Sequence, residues 1–305
     1  MLVALSLLGG LVLLVIGGEG LVRGAVAVAN HLKVPAVVIG LTIVAYGTST
    51  PEVVVSVQSA LDGYPDISVG NVVGSNIANI LLILGAAAVI CAMHPDPKMA
   101  KKDGLIMIGI SALMIAFMAD GTIARWEGGA LFACFLAYTV QAFIHGRKLG
   151  NAVLDEETKA ATDVHMGVGK SVLYIIGGLG FLVAGGKLLV TAAVDIASAW
   201  GVSDEVIGLT IVAVGTSLPE FATSVIAARK GHSDIALANV VGSNIFNISA
   251  IIGVVGLISP IPIAPQFIAI DGWVMLATAV LLTVLIARCR TIGFGVGSAF
   301  LLGFI

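Results

Sequence analysis

Charge, cysteine and histidine are all scarce in this 305-residue chain, and each shortage removes a class of function. Only 11% of its residues are charged against 58% hydrophobic, whereas a water-soluble domain carries about 25% charge. The three cysteines, Cys91, Cys134 and Cys289, sit in or beside apolar runs without CxxC spacing, so neither a disulfide framework nor a zinc site is expected. His31, His94, His145, His165 and His232 fall in loops or near helix ends, which excludes a histidine proton relay through an apolar span. No HExxH, Gly-x-Gly-Asp or Ser and His pairing occurs within the apolar stretches, and an intramembrane enzyme is left without support. The net charge of −3 is small and points to no nucleic-acid partner.

Long apolar sequence is abundant instead. A span needs about 20 mostly apolar residues to cross a hydrocarbon core roughly 30 Å thick, and ten such stretches can be drawn: 2–30, 36–61, 66–92, 103–119, 123–145, 170–199, 204–229, 234–257, 269–287 and 290–305. The expected fold is an all-α, ten-helix protein whose partner is the lipid bilayer, multi-pass in the cell (inner) membrane. The first stretch has no basic leading region and carries Glu19 and Arg23 near its end, so it reads as a helix rather than a cleaved signal. With the amino terminus outside, twelve Lys and Arg fall in inner loops and only Arg125 in an outer one. The positive-inside rule then places both termini outside. Trp126, Trp200 and Trp273 fall at span ends, where amphipathic rings prefer to lie.

Sliding the sequence by 168 residues aligns 39–85 with 207–253 without a gap, and 29 of those 47 positions are identical. This is an internal duplication. GLTIVAYGTS matches GLTIVAVGTS, NVVGSNIAN matches NVVGSNIFN, and Gly10, Gly17 and Gly18 pair with Gly178, Gly185 and Gly186. Each unit holds five spans, and an odd number forces the second copy to enter the membrane from the opposite side. The expected layout is a first five-helix repeat over 1–150, a cytoplasmic linker over 151–169 containing Asp155, Glu156 and Glu157, and a second, inverted repeat over 170–305. Inverted pairs of this kind recur in secondary transporters, with the substrate site at the midplane where the halves meet.

Glu52 follows Gly47-Thr-Ser-Thr-Pro midway along the second span, and Glu220 follows Gly215-Thr-Ser-Leu-Pro midway along the seventh. Proline removes a backbone donor and glycine tolerates unusual dihedrals, so helices 2 and 7 should be broken at the midplane and expose carbonyl oxygens. A carboxylate there costs at least about 2.5–3.5 kcal/mol. Arg23 and Lys187 are the cationic side chains inside spans, and neither is duplicated, so a cation shared by the two acids explains them better than a salt bridge. Thr48 and Thr216 lie one turn before the acids and face the same way. Asn71, Ser75 and Asn79 recur every fourth residue, as do Asn239, Ser243 and Asn247, giving each half a polar stripe. Hard cations take six to eight oxygens. Glu, Thr, Ser and Asn therefore suit Ca2+ or Na+, and Ser75, Asn79, Ser243 and Asn247 are read as ligands; Asn76 and Asn244, off the stripe, and Asn71 and Asn239 could equally hold helices together. Asp62, Asp66 and Asp234 read as solvated charges, and Glu19, Lys187 and Asp195 as locally paired or snorkelling groups, with gate contacts of a moving element as the alternative.

GTSTPE with GNVVGSNIAN, and GTSLPE with ANVVGSNIFN, closely resemble the two alpha repeats of the calcium/cation antiporter superfamily, and among its branches a prokaryotic sodium/calcium exchanger. The resemblance covers essentially the whole chain. It implies that Glu52 and Glu220 are central Ca2+ ligands, that Thr48, Thr216, Ser49, Ser217, Ser75, Ser243, Asn79 and Asn247 help form the Ca2+ and Na+ sites, and that the carbonyls of Ala45 and Ala213 bind Na+. It implies no cofactor and no protein partner, with the chain working as a monomer. Some members carry Asp where this chain has Asn247, so potassium dependence is not expected. Ala238 stands where the first repeat has Gly70, which leaves the symmetry imperfect.

The expected activity is antiport of Ca2+ against Na+ by alternating access. Two ionised glutamates are neutralised by one Ca2+ or by at least two Na+, and three Na+, as the family implies, would make the cycle electrogenic. The resemblance also implies that the first and sixth helices slide on the other eight, with Gly17-Gly18 and Gly185-Gly186 permitting close contact. A proton/calcium exchanger of the same superfamily and a passive cation channel are the rival readings.

Overall fold

The computed structural model describes residues 2–32, 34–153, 166–199 and 213–305. The chain is helical almost throughout. In chain order the principal helices are α1 (Leu2–Leu32), α2 (Ala36–Thr48), α3 (Thr50–Leu61), α4 (Ile67–Ile90), α5 (Leu105–Met118), α6 (Arg125–Val153), α7 (Val168–Ala199), α8 (Leu218–Arg229), α9 (Ser233–Ile258), α10 (Phe267–Arg288) and α11 (Phe294–Phe304). Among the described residues six are long and apolar enough to cross a membrane, and α2 with α3, bent by 46°, makes a seventh such span. The stretches expected at 103–119 and 290–305 form the shorter α5 and α11, of 14 and 11 residues. The span expected at 204–229 begins outside the described residues, as do Trp200 and the linker acids Asp155, Glu156 and Glu157.

The most buried helices are α4 and α9, the two copies of the NVVGSN segment, and they form the centre of the bundle. Close approach there depends on glycine: a side chain at Gly242 of α9 would collide with the backbone of Leu41 in α2. Aliphatic residues of α4, α9, α5 and α10 fill one continuous core around them. Exposed Leu, Val and Ile side chains line the outer faces of α1, α7 and α10, as expected where lipid rather than water is the solvent.

α1 and α7 pack on each other through glycines. Any side chain on Gly17 would strike the backbone of Gly178, and any on Gly10 that of Gly185. A shift of 168 converts Gly10 into Gly178 and Gly17 into Gly185, so the contact is reciprocal. This corrects the expected use of the glycine pairs: Gly17 and Gly185 join α1 to α7, and Gly18 and Gly186 are the members that face α8.

Loops meet in two groups. Met93 pairs with Ile292, the Cys91 thiol donates to the Ala228 carbonyl, and the His31 ring contacts the Met166 carbonyl. At the other end Thr122–Ile123 pairs antiparallel with Ile261–Pro262, and Arg125 donates to the Ile258 carbonyl.

Candidate cation-binding site

The helix break in the first half falls at Ser49 (φ −80°, ψ 12°) and in the second at Ser217 (φ −88°, ψ 6°). A new helix starts directly after each, with proline in its first turn, where the missing N–H is not needed. Glu52 lies in the first turn of α3 and Glu220 in the first turn of α8. Unpaired N–H groups make such a helix end favourable for a carboxylate. The proline that interrupts the span thus also places the acid where backbone dipoles support it.

Both carboxyl groups are buried to 1% exposure. Each is held by the opposite half: the Ser49 hydroxyl donates to Glu220 Oε1 at 2.7 Å, and the Ser217 hydroxyl to Glu52 Oε1 at 3.2 Å. Thr48 and Thr216 add hydroxyls beside the carboxyls of Glu220 and Glu52 respectively. Among the described residues the ion pairs join Glu19 to Arg23 and to Lys230, and neither buried glutamate has a basic partner. Each acid is bonded by a hydroxyl of the other half, with no counter-charge on it among the described residues.

The remaining oxygens point to what is needed. Glu52 Oε2, Glu220 Oε2, Asn79 Oδ1 and Asn247 Oδ1 are all buried without a hydrogen-bond partner among the described residues. A buried carboxylate or amide oxygen left unpaired is costly, and these four, two pairs related by a spacing of 168, are oxygens of the type that hard cations take. Asn79 and Asn247 each begin a π-helical stretch, Asn79–Leu84 and Asn247–Ile252. Such wide turns occur often at functional sites. Among the described residues no three His, Cys, Asp or Glu side chains converge; the candidate site offers two carboxylates with hydroxyl and amide oxygens.

The other predicted residues are placed as follows. Ser75 is buried on the same face of α4 as Asn79, and the Ser243 hydroxyl donates to the Ala45 carbonyl at 3.4 Å. That carbonyl also accepts the Ser49 N–H and the Thr48 hydroxyl, so it is engaged rather than bare. Ala213 opens a one-turn helix, Ala213–Thr216. Asn71 and Asn239 stand behind the acids: Asn71 donates to the Glu52 carbonyl and to Ser56, and Asn239 to the Glu220 carbonyl and to Ser224. Ser56 and Ser224 had not been singled out from the sequence. Their signal is there: both lie one turn beyond a glutamate, and they are identical at a spacing of 168.

A family profile described as sodium/calcium exchanger protein matches residues 2–144 and 170–305. The inner membrane protein YrbG of Escherichia coli is 35% identical over 312 residues, covering 100% of this chain and 95% of that one. The sodium/calcium exchanger MaX1 of Methanosarcina acetivorans is 34% identical, covering 93% and 91%. The solved structure of the sodium-calcium exchanger NCX_Mj soaked with Na+ and Ca2+ superposes with a TM-score of 0.85 at 32% identity, covering 100% of this chain and 96% of that one.

Proposed function

This chain belongs to the sodium/calcium exchanger family, and from that premise we propose that it exchanges Ca2+ for Na+ across the cell (inner) membrane by alternating access, with Glu52 and Glu220 as shared ligands. The observation that carries the reading is the set of four buried, unpartnered oxygens on Glu52, Glu220, Asn79 and Asn247. Two ionised acids present a charge of −2 that one Ca2+ balances, or two or more Na+. Because the ions compete for the same oxygens, each displaces the other. An empty site resists reorientation, since bare carboxylates in low dielectric are costly, and that suppresses leak.

The proposed layout is ten membrane helices in two inverted repeats with both termini outside. The two groups of loop contacts support the alternation, because every pair joins loops assigned to one side. Met93, Ile292, Ala228, His31 and Met166 fall at the inner end, and 122–123 and 258–262 at the outer. The glycine-packed pair α1 and α7 moves against the rest of the bundle. No cofactor or catalytic step is needed, and a single chain suffices.

Purified protein in proteoliposomes, loaded with Na+, K+ or H+ in turn and given 45Ca2+ outside, tests the reading. Uptake driven by an outward Na+ gradient and absent with K+ is expected. Uptake driven by a proton gradient alone would make the protein a proton/calcium exchanger, and uptake requiring no counter-ion would make it a channel.

A further inference from the structure

An asparagine side chain is nearly symmetric in shape, yet its two ends are opposite in charge character. Its oxygen attracts a cation and its NH2 repels one. Asn79 and Asn247 can serve as ligands only if something decides which end faces the ion.

Asn76 and Asn244 supply that decision. Both are buried, and they meet where α4 crosses α9. The Asn76 NH2 donates to the Asn244 carbonyl at 3.3 Å, and the Asn244 NH2 donates to the Asn76 carbonyl at 3.2 Å. A backbone carbonyl can only accept, so each of these amides must turn its nitrogen toward the opposite main chain. Their side-chain oxygens then have one orientation left. Asn76 Oδ1 accepts from the Asn247 NH2 at 3.2 Å, and Asn244 Oδ1 accepts from the Asn79 NH2 at 2.9 Å. With their nitrogens committed, Asn247 and Asn79 present Oδ1, the atoms left buried and unpartnered. Every step is repeated at a spacing of 168, so the relay runs once in each direction. An amide's oxygen and nitrogen are ordinarily assigned from their neighbours, and here two main-chain carbonyls fix all four.

We propose that Asn76 and Asn244 are positioning residues that orient the Asn247 and Asn79 amides, oxygen first, toward the transported cation. This rests on the exchanger reading and adds to it a source of cation selectivity that touches no ion. Without Asn76, Asn247 is free to flip and present NH2. A carboxylate has an oxygen at both ends and needs no orienting.

The test is a double-mutant cycle on Na+-driven 45Ca2+ uptake in proteoliposomes. Asn76→Ala is expected to raise the Ca2+ concentration for half-maximal uptake by about tenfold, the upper end of what a neutral amide–amide hydrogen bond contributes, while the maximal rate stays within about twofold. In an Asn247→Asp background the same Asn76→Ala change is expected not to raise half-saturation, because the orienting step is no longer required and the Asn76 oxygen would face a carboxylate it cannot accept from. Asn244→Ala, alone and with Asn79→Asp, asks the same question on the other side and decides the matter should Asn76→Ala fail to fold. Equal losses in the Asn and Asp backgrounds, a half-saturation unchanged by Asn76→Ala in the Asn247 background, or a fall in maximal rate alone would overturn the proposal. Wild-type protein without Na+-driven flux would overturn the exchanger reading instead, whereas normal wild-type exchange with no coupling in either cycle would defeat only the relay.

Discussion

The second half of the molecule is covered where the first half lies bare. On α8, Ala222, Ile226 and Lys230 form a stripe against which α1 packs: Gly18 leaves no room for a side chain beside Ile226, and Glu19 pairs with Lys230 at 2.8 Å. The duplicate stripe on α3 is Val54, Gln58 and Asp62. There Val54 is 61% exposed, Asp62 accepts from its neighbour Gln58, and Lys187, which duplicates Glu19, is exposed and without an ion pair among the described residues. The site between the stripes keeps its two-fold hydrogen bonding. The inequality therefore lies in where α1 and α7 sit, and the centre stays even-handed. Because Glu19 and Lys230 correspond to Lys187 and Asp62, the two ends carry one ion pair written with opposite signs, closed at the end assigned inside and open at the end assigned outside.

The comparison is sharpened most by the acids themselves. Glu52→Gln and Glu220→Gln are each expected to reduce Na+-driven Ca2+ uptake to background, equally in both halves; a variant that kept normal flux would remove its acid from the centre. Next in size is a disulfide between either stripe and the helix opposite it, α1 or α7, in protein whose Cys91, Cys134 and Cys289 are replaced. A pair at Glu19 and Lys230 should crosslink in resting protein. One at Asp62 and Lys187 should form only while Na+ and Ca2+ keep the protein cycling, and either bond should stop transport until reduced. Crosslinking at both ends at rest would mean that α1 and α7 do not move as proposed.

Acid should act on the even-handed centre. Protons compete with Ca2+ for the Glu52 and Glu220 oxygens and cancel the charge of −2, so uptake should decline as pH falls and recover on return to neutrality. A flat acid limb in vesicle assays would contradict a shared carboxylate site. Ser49→Ala and Ser217→Ala each remove a hydroxyl that serves the opposite glutamate, worth about 1.5–3 kcal/mol for a bond to a charged group. The Ca2+ half-saturation should rise by at least about tenfold for each, and a large difference between them would show that the halves hold the ion unequally. The smallest effect is expected at Thr223, whose hydroxyl is buried without a partner among the described residues and whose duplicate is Val55. Thr223→Val should raise thermal stability by about 1 kcal/mol with flux unchanged, and reduced flux would show that the hydroxyl is used during the cycle.

Much of the candidate site could be read from residues because duplication marks positions that a single copy would leave unremarkable. Glu52 and Glu220 declared themselves by standing in apolar spans, just after a Thr-Ser step and a proline. Ser75, Asn79, Ser243 and Asn247 followed from four-residue spacing. Asn76 and Asn244 did not, since they lie off the stripe and their partners are 165 and more residues away. The stacking of Tyr46 on Phe246, with centroids 4.8 Å apart, was equally hidden: the duplicates of these residues are Val214 and Ala78, so no repeat pattern announces the pair.

From the sequence alone came the membrane location, the two related halves and the paired acids, because hydropathy, spacing and repetition are properties of a line of residues. Which half's serine holds which glutamate, which amides set the orientation of others and which stripe α1 covers were decided by the tertiary structure. Those choices depend on contacts between segments that only folding brings within about 3 Å, and no local pattern along the chain encodes them.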